Sequence, residues 1–354
     1  MSTPEQYRPK TLLVTGAAGF IMSHVVDEAL RRYPQCRVIV LDVMDYCATT
    51  KNLEAAIATG RCHLVRGDVC NMDLVMHVLE TELPDTIIHG AAASHVDLSF
   101  KNSLRFTRSN VLGTHVMLEA MRKHNHERGA HGHDVRRFIY IGTDEVYGSV
   151  DEQCHERSLK QPTNPYSASK AAASSICNAY MRSYGMPIIE TRGNNTIGPR
   201  QYPEKLIPKF VTLIMQGKAV PIHGEGDQKR SLIDVEDCAR AILTVLERGV
   251  IHEVYNIEAG MEMTVTGITE KLLSVMGVPQ EAWSAHITHV RDRDFNDKRY
   301  FIDGSKLRAL GFKARVGLDE SLRRIVDWYR VHTNYWPNSE RALVAHPELT
   351  DHMC

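Results

Sequence analysis

The chain has 354 residues, with 42 Lys and Arg against 43 Asp and Glu and a formal net charge of -1. That length suits one large or two modest domains with a sizeable core, and the charge balance argues against a nucleic-acid binder, which carries a basic surplus or a basic face. Residues 1–10 hold no apolar leader segment, no apolar run reaches the roughly 18–20 residues of a membrane span, and the eight cysteines are scattered without a CxxC pair, so a soluble, cytoplasmic protein in a reducing compartment is expected.

Residues 11–15 form a short apolar run that stops at Gly16, and Gly16-Ala17-Ala18-Gly19-Phe20-Ile21-Met22 leads into helical periodicity over 25–32. Strand, glycine turn and helix make the first unit of a dinucleotide-binding fold, with the helix N-terminus as an anion site for a pyrophosphate. The next strand, 37–42, ends in Asp42, about twenty residues after the glycines and placed to accept hydrogen bonds from ribose hydroxyls. A carboxylate there disfavours a 2′-phosphate, so NAD is expected rather than NADP. Strands follow at 63–68, 86–89, 138–141 and 188–191, separated by helical stretches such as 110–123 and 167–183. This alternation predicts an α/β fold with a doubly wound parallel, Rossmann-type sheet.

The strand 138–141 runs into Gly142-Thr143-Asp144-Glu145-Val146-Tyr147-Gly148. Thr143, Asp144 and Glu145 thus sit at a strand's carboxyl end, where ligands bind in open α/β sheets. If both acids face one cleft, their pKa values can be pushed apart, leaving one a proton donor and the other a base. Acids in the first turn of a helix fit the same residues. Tyr166 and Lys170, in Tyr166-Ser167-Ala168-Ser169-Lys170, share one helix face, and a nearby ammonium stabilises a phenolate.

After about residue 192 proline and glycine become frequent, as in Gly198-Pro199, Pro203, Pro208, Pro221 and Gly224-Glu225-Gly226, with one further strand at 254–257 and an amphipathic helix from 318. The expected division is a dinucleotide-binding domain over 1–191, with a returning segment near 234–258, and a smaller mixed substrate-binding domain over 192–354. His124, His126, His131 and His133 read as a solvated loop rather than a metal site, and no metal is expected. Ser94-His95-Val96-Asp97 is not read as part of a hydrolase triad, because no G-x-S-x-G elbow accompanies it.

TGAAGFI, LDVMDYC, AAASHVDLSF, GTDEVYG, PTNPYSASKAAA, YPEKLIPKF and FNDKRYF occur in this order. Together they resemble the extended short-chain dehydrogenase/reductases, and within them the nucleoside-diphosphate-glucose 4,6-dehydratases. TRGNN, PEKLIPKF and RDFNDKRYF are most similar to the dehydratase domain of plant rhamnose synthases, which acts on UDP-glucose; bacterial dTDP-glucose enzymes are similar too. The resemblance implies a lyase of nucleotide-sugar metabolism and rhamnose biosynthesis, dehydrating UDP-glucose through transient oxidation by bound NAD. It implies that Tyr166 takes the C4 hydroxyl proton, Lys170 holds the cofactor ribose, Glu145 removes the C5 proton, Asp144 protonates the departing C6 hydroxyl and Thr143 bonds near the C4 oxygen. Cofactor contacts are implied for Gly16, Gly19, Phe20, Ile21, Asp42, Asp45, Asp68, Val69, Ala91, Ala92 and Ser109, together with Tyr166 and Lys170. Substrate contacts are implied for Ser94, Thr143, Asn195, Lys205, Arg230, Asn256, Arg293 and Asn296. Helices over 102–123 and 167–183 resemble those that pair in a family homodimer.

The alternatives are dTDP-glucose as substrate, a sugar-nucleotide epimerase or decarboxylase, which would not need Asp144 and Glu145 together, and a non-catalytic dinucleotide sensor, which would not need the proton-transfer groups. Four positions depart from the pattern: Met22 stands for the third glycine, Gly142 for a serine, Thr196-Ile197 for Asn-Tyr and Asp234 for a tyrosine.

Overall fold

A computed structural model describes residues 6–128, 132–292 and 297–345; His131, Arg293 and Asn296 lie outside them. In chain order the strands are β1 (Thr11–Thr15), β2 (Arg37–Asp42), β3 (Cys62–Arg66), β4 (Thr86–His89), β5 (Arg137–Thr143), β6 (Ile188–Gly193), β7 (Asn195–Ile197), β8 (Val220–His223), β9 (Lys229–Asp234), β10 (Val254–Ile257), β11 (Met261–Thr264) and β12 (Ile287–Val290). Along β1, Leu12 and Val14 point to one face and Leu13 to the other, and all three are fully buried. β2 repeats this with Val38 and Val40 opposed to Ile39 and Leu41. Strands buried on both faces belong in a parallel sheet covered by helices.

That sheet has seven strands in the order β10-β6-β5-β4-β1-β2-β3, and every neighbouring pair is parallel. Helices Phe20–Arg32 and Val235–Arg248 supply apolar side chains to the core on one face, among them Val25, Ala29, Ala239 and Leu246. Helices Met72–Glu82, Gly113–Arg128 and Pro165–Tyr184 cover the other, with Val75, Leu79, Met117 and Cys177 in its core. The expected doubly wound α/β fold is therefore the observed one. The winding reverses between β1 and β4, and a crevice opens over their carboxyl ends, where such sheets bind ligands.

The C-terminal third holds a mixed sheet of β11-β9-β7 and a pair β12-β8. These short strands surround a third core of Ile207, Phe210, Leu272 and Ile325, beneath helices Leu206–Met215, Val265–Val275 and Leu318–Val331. In the polar histidine stretch His126 and His133 are exposed, as a solvated stretch implies, and His124 alone among the described histidines there is buried. His124 is fully buried with Nε2 2.8 Å from the carbonyl of His133, and Asn125 bonds both the N–H and C=O of Val135. No helix among the described residues is long and apolar enough to cross a membrane.

Three of the unusual positions have packing reasons. A Cβ at Gly142 would lie 2.5 Å from the carbonyl of Thr191, so β5 and β6 meet too closely for a side chain there. Met22 is buried against Gly90, where a Cβ would lie 2.5 Å from the Met22 Cγ; room that the third glycine would leave on the helix comes here from a glycine on the facing loop. Asp234 caps helix Val235–Arg248, accepting from Glu236 N at 2.9 Å and from the Ser321 hydroxyl at 2.7 Å.

Gly148 closes the turn after β5 with φ 78° and ψ -169°, a region only glycine populates readily. A Cβ there would also lie 2.3 Å from the carbonyl of Gln161. Gly148→Ala is expected to lower stability by at least about 1–3 kcal/mol, read as the shift of a urea unfolding midpoint; an unshifted midpoint would show that the turn relaxes at no cost.

Candidate active site

The crevice begins where β1 ends. Gly16 has φ 75°, and a Cβ on it would lie 2.7 Å from Ala91 Cα, so the turn passes under the segment after β4 with only glycine fitting. Helix Phe20–Arg32 starts at Gly19 with no side chain capping it, which leaves first-turn amides for an anion. Asp42 accepts from Ala18 N at 2.9 Å through Oδ2 and from Met44 N at 2.8 Å through Oδ1. Burial raises its carboxyl above the ordinary range, and each oxygen keeps a lone pair for a hydroxyl donor. Asp45, Asp68, Val69, Ala91, Ala92, Ser94 and Ser109 line the same crevice. Asp45 is ion-paired with Arg105, and Asp68 accepts from Cys70 N at 2.8 Å and from Arg108 at 3.3 Å.

An adjoining cleft with about 1320 Å³ of space open to solvent collects Phe20, Ile21, Thr143, Asp144, Glu145, Tyr166, Lys170, Asn195 and Lys205. Residues from β5, helix Pro165–Tyr184 and β7 meet here. Thr143 ends β5 and caps the 3₁₀ turn Asp144–Tyr147, its hydroxyl oxygen accepting from Glu145 N at 3.3 Å. The two acids are therefore at once first-turn acids and cleft residues, so the alternatives open in the sequence are both realised. Asp144 is buried, and Asn194 Nδ2 donates to it at 2.7 Å. Burial and then the neighbouring charge of Glu145 push its pKa up to about 7, where a carboxyl can hold a proton near neutrality and give it up. Burial also raises Glu145, opposed by the cations of Lys205 and Arg230. Among the described residues its Oε2 is buried without a hydrogen-bond partner, as is Nδ2 of Asn195. An orphaned acceptor and an orphaned donor on one cleft suit a polyhydroxylated ligand.

Tyr166 packs against Leu98 and Phe106. Burial holds its phenol well above the usual range, and the charges of Glu145 and Asp144 add to this. Lys170 donates to the carbonyl of Ile141 at 2.6 Å and lies 4.5 Å from the Tyr140 ring centroid. Burial pushes its pKa down to about 8. Burial and the two nearby acids, not Lys170, set the direction of the shift at Tyr166.

Lys205 donates to the carbonyl of Ser94 at 2.8 Å. Ser94, Glu145, Asn195, Lys205 and Arg230 line a further part of the cleft, where Arg230 also bonds the carbonyl of Asp297 at 3.0 Å. Asn256 is the exception. It is fully buried in β10, accepting from the Tyr147 hydroxyl at 2.9 Å and giving its backbone N–H to Glu156 at 3.0 Å. Its side chain is engaged behind the acidic turn, which corrects the expectation that it faces substrate. Two residues on the cleft were not anticipated. Asn194 holds Asp144, and Glu204 accepts from the Tyr46 hydroxyl at 2.6 Å with His95 Nε2 at 3.8 Å. Asn194 adjoins Asn195 in TRGNN, but its partner is far away in sequence, so spacing carried no signal.

The family model described as GDP-mannose 4,6 dehydratase matches residues 13–325. A trifunctional UDP-glucose 4,6-dehydratase/UDP-4-keto-6-deoxy-D-glucose 3,5-epimerase/UDP-4-keto-L-rhamnose-reductase of Arabidopsis thaliana is 45% identical over 347 residues, 97% of this chain and 51% of that protein. The chain spans about half the length of the plant relatives it matches. The dTDP-D-glucose 4,6-dehydratase of Mus musculus is 41% identical over 344 residues, covering 96% of this chain and 94% of that one. The crystal structure of a Streptomyces venezuelae dTDP-glucose 4,6-dehydratase with NAD and TYD bound superposes with a TM-score of 0.86 at 38% identity, covering 93% of this chain and 100% of that chain.

The raised pKa of Asp144 has a sign that can be tested. The folded state holds this proton to a higher pH than the unfolded chain, so between about pH 4 and pH 7 it binds more protons and stability falls as pH rises. Asp144→Asn removes that penalty. The variant is expected to gain on the parent across this window by an amount on the order of a few kcal/mol, read as a growing difference in Tm; a difference that stays flat with pH refutes the assignment.

Proposed function

The chain belongs to the GDP-mannose 4,6-dehydratase family, and we propose that it is an NAD-dependent hydro-lyase converting a nucleoside-diphosphate glucose, UDP-glucose foremost, to its 4-keto-6-deoxy derivative. The observation that carries this reading is the buried Asp144-Glu145 pair on the same cleft as Tyr166 and Lys170. Loss of water across C5–C6 needs an acidic C5 hydrogen, and a ketone at C4 makes it acidic. The glycine turn beneath Ala91, the uncapped helix start and the acceptor Asp42 fit a dinucleotide. Bound NAD would accept the C4 hydride and later return it to C6.

The side chains supply the proton transfers. Tyr166 takes the C4 hydroxyl proton as a phenolate, a form that the positive charges of bound NAD and of Lys170 would favour over the buried phenol, with Thr143 bonding beside that oxygen. Lys170 holds the cofactor ribose and supplies positive charge under it. Glu145, whose Oε2 has no hydrogen-bond partner among the described residues, removes the C5 proton. Asp144, at about pKa 7, gives its proton to the departing C6 hydroxyl, and C5 recovers a proton as C6 is reduced. Lys205, Arg230, Asn195 and Ser94 engage the diphosphate and sugar. Arg can clamp phosphate oxygens with two parallel bonds. Residues 1–191 with 234–258 form the cofactor-binding part in this reading, and the rest of 192–354 the substrate part.

UDP-glucose is favoured over dTDP-glucose by TRGNN, PEKLIPKF and RDFNDKRYF and by the higher identity to the plant proteins. The 4-keto-6-deoxy product is the kind of compound that the epimerase and reductase activities named in those proteins consume, so the pathway proposed is rhamnose biosynthesis. The seven described cysteines are all free, which supports a reducing, cytoplasmic setting. Turnover with NAD and either UDP- or dTDP-glucose, followed by mass spectrometry, is expected to show loss of one water, faster with UDP-glucose. Glu145→Gln should reduce kcat by roughly 10²–10⁴. No dehydrated product from either sugar sinks the reading; an unchanged mass or lost CO₂ points to an epimerase or decarboxylase, and NAD binding without turnover to a sensor.

A homodimer is part of the same proposal. Phe100, Leu104, Leu112 and Tyr184 are exposed on the segments 96–112 and helix Pro165–Tyr184, with Leu104 80% accessible. Such apolar exposure along two helical segments suits a partner's matching face. Leu104→Glu is expected to shift the mass in light scattering at micromolar concentration from dimer to monomer, and an unsubstituted chain that is already monomeric refutes the assembly.

A further inference from the structure

The segment after helix Leu318–Val331 crosses back over the N-terminal third of the chain. Ala18, in the glycine turn, gives its N–H to Asp42 Oδ2 at 2.9 Å, and its carbonyl accepts from Thr49 N at 3.0 Å and Asn52 Nδ2 at 2.8 Å. Asn52 is buried, and its Oδ1 accepts from the Tyr335 hydroxyl at 2.8 Å. One run of hydrogen bonds therefore leads from Tyr335 through Asn52 and Ala18 to Asp42. Within the Asn52 side-chain amide, the bond accepted at Oδ1 strengthens donation from Nδ2; the carbonyl and N–H of Ala18 belong to successive peptide groups, so there the run continues through the fixed geometry of the turn.

The adjacent Lys51 fixes the same segment from a second side. Its Nζ donates to the carbonyls of Asn334 at 3.4 Å and Tyr335 at 3.2 Å and lies 5.2 Å from the Tyr335 ring centroid. Next along, Trp336 is buried edge-on to Tyr202 at 5.1 Å, and Tyr202 meets Tyr46 at 5.4 Å. Tyr202 lines the catalytic cleft and Tyr46 the cofactor crevice. The segment thus touches the pyrophosphate turn through hydrogen bonds and both walls of the site through aromatic edges.

The geometry points to Tyr335 as a positioning residue for cofactor binding: its hydroxyl, through Asn52, holds the Ala18 turn against Asp42 in the shape that receives the dinucleotide. This rests on the NAD reading above. A tail that merely packs on the surface would contribute to stability without touching cofactor affinity, and the two are separable.

Tyr335→Phe keeps the ring and its packing and removes only the hydroxyl. Lys51→Met loosens the segment from an exposed position. NAD is titrated into cofactor-stripped full-length protein by tryptophan fluorescence, with Tm measured alongside. Loss of one such bond corresponds to a rise in the Kd for NAD of about two- to tenfold, expected for Tyr335→Phe, with a change in the same direction for Lys51→Met. Faster hydrogen exchange at the Ala18 amide should accompany it. If both variants lose Tm but bind NAD as the parent does, the positioning role is overturned. If the parent itself binds no NAD, the cofactor reading has failed, and this inference with it.

Discussion

The cost of burying negative charge shapes this site more than any other constraint. Two adjacent carboxyl groups leave water at the carboxyl end of β5, where desolvation favours the neutral acid and each charge disfavours the other. Asp144 is driven up to about 7. Glu145 is raised less freely, because Lys205 and Arg230 oppose the effect of burial. The pair is thereby divided into a group that can carry a proton near neutrality and a group whose rise is checked by cations, a separation that acid and base roles require. Those cations come from the chain beyond β6, Lys205 just before helix Leu206–Met215 and Arg230 on β9, so the division depends on the two parts being folded together.

Such a pair needs a rigid support, and the structure places one directly behind it. Arg192, on β6, donates to Glu190 at 2.7 Å and to the Tyr147 hydroxyl at 2.8 Å. Tyr147 is the last residue of the acidic turn and bonds in turn to Asn256 on β10. Burial works against the Glu190 carboxylate, but Arg192 and Ser174 hold its pKa below the ordinary value. A buried ion pair adds little net stability over an apolar isostere, but breaking it leaves an uncompensated charge. Together with the glycine-only geometry at Gly148, the network leaves the turn few alternative positions.

The cofactor side is organised by close backbone approach. Gly16 beneath Ala91 and Met22 against Gly90 are two halves of one packing problem around the β1–β4 switch point. A methionine where the family pattern has glycine is accommodated because its flexible, unbranched side chain finds a second glycine opposite it.

Much of this was legible in the residues in order. Short apolar runs over 11–15 and 37–42, a glycine turn, an acid closing β2 and further apolar runs separated by helical stretches determine a doubly wound parallel sheet, because each signal is local and repeats. The candidate proton-transfer groups were legible for a similar reason: Asp144 and Glu145 are adjacent, and Tyr166 and Lys170 lie one helical turn apart. The C-terminal third was less readable, since β7, β8, β9, β11 and β12 are short strands paired across long separations in mixed directions. Only the tertiary structure decided that Asn256 supports the turn rather than facing the cleft, that burial and two acids govern the Tyr166 phenol, that Asn194 and Glu204 belong to the site, and that Tyr335 reaches Ala18 through Asn52. Each depends on partners brought together from distant parts of the chain and on how much water their meeting excludes, quantities that a linear pattern of residue types does not contain.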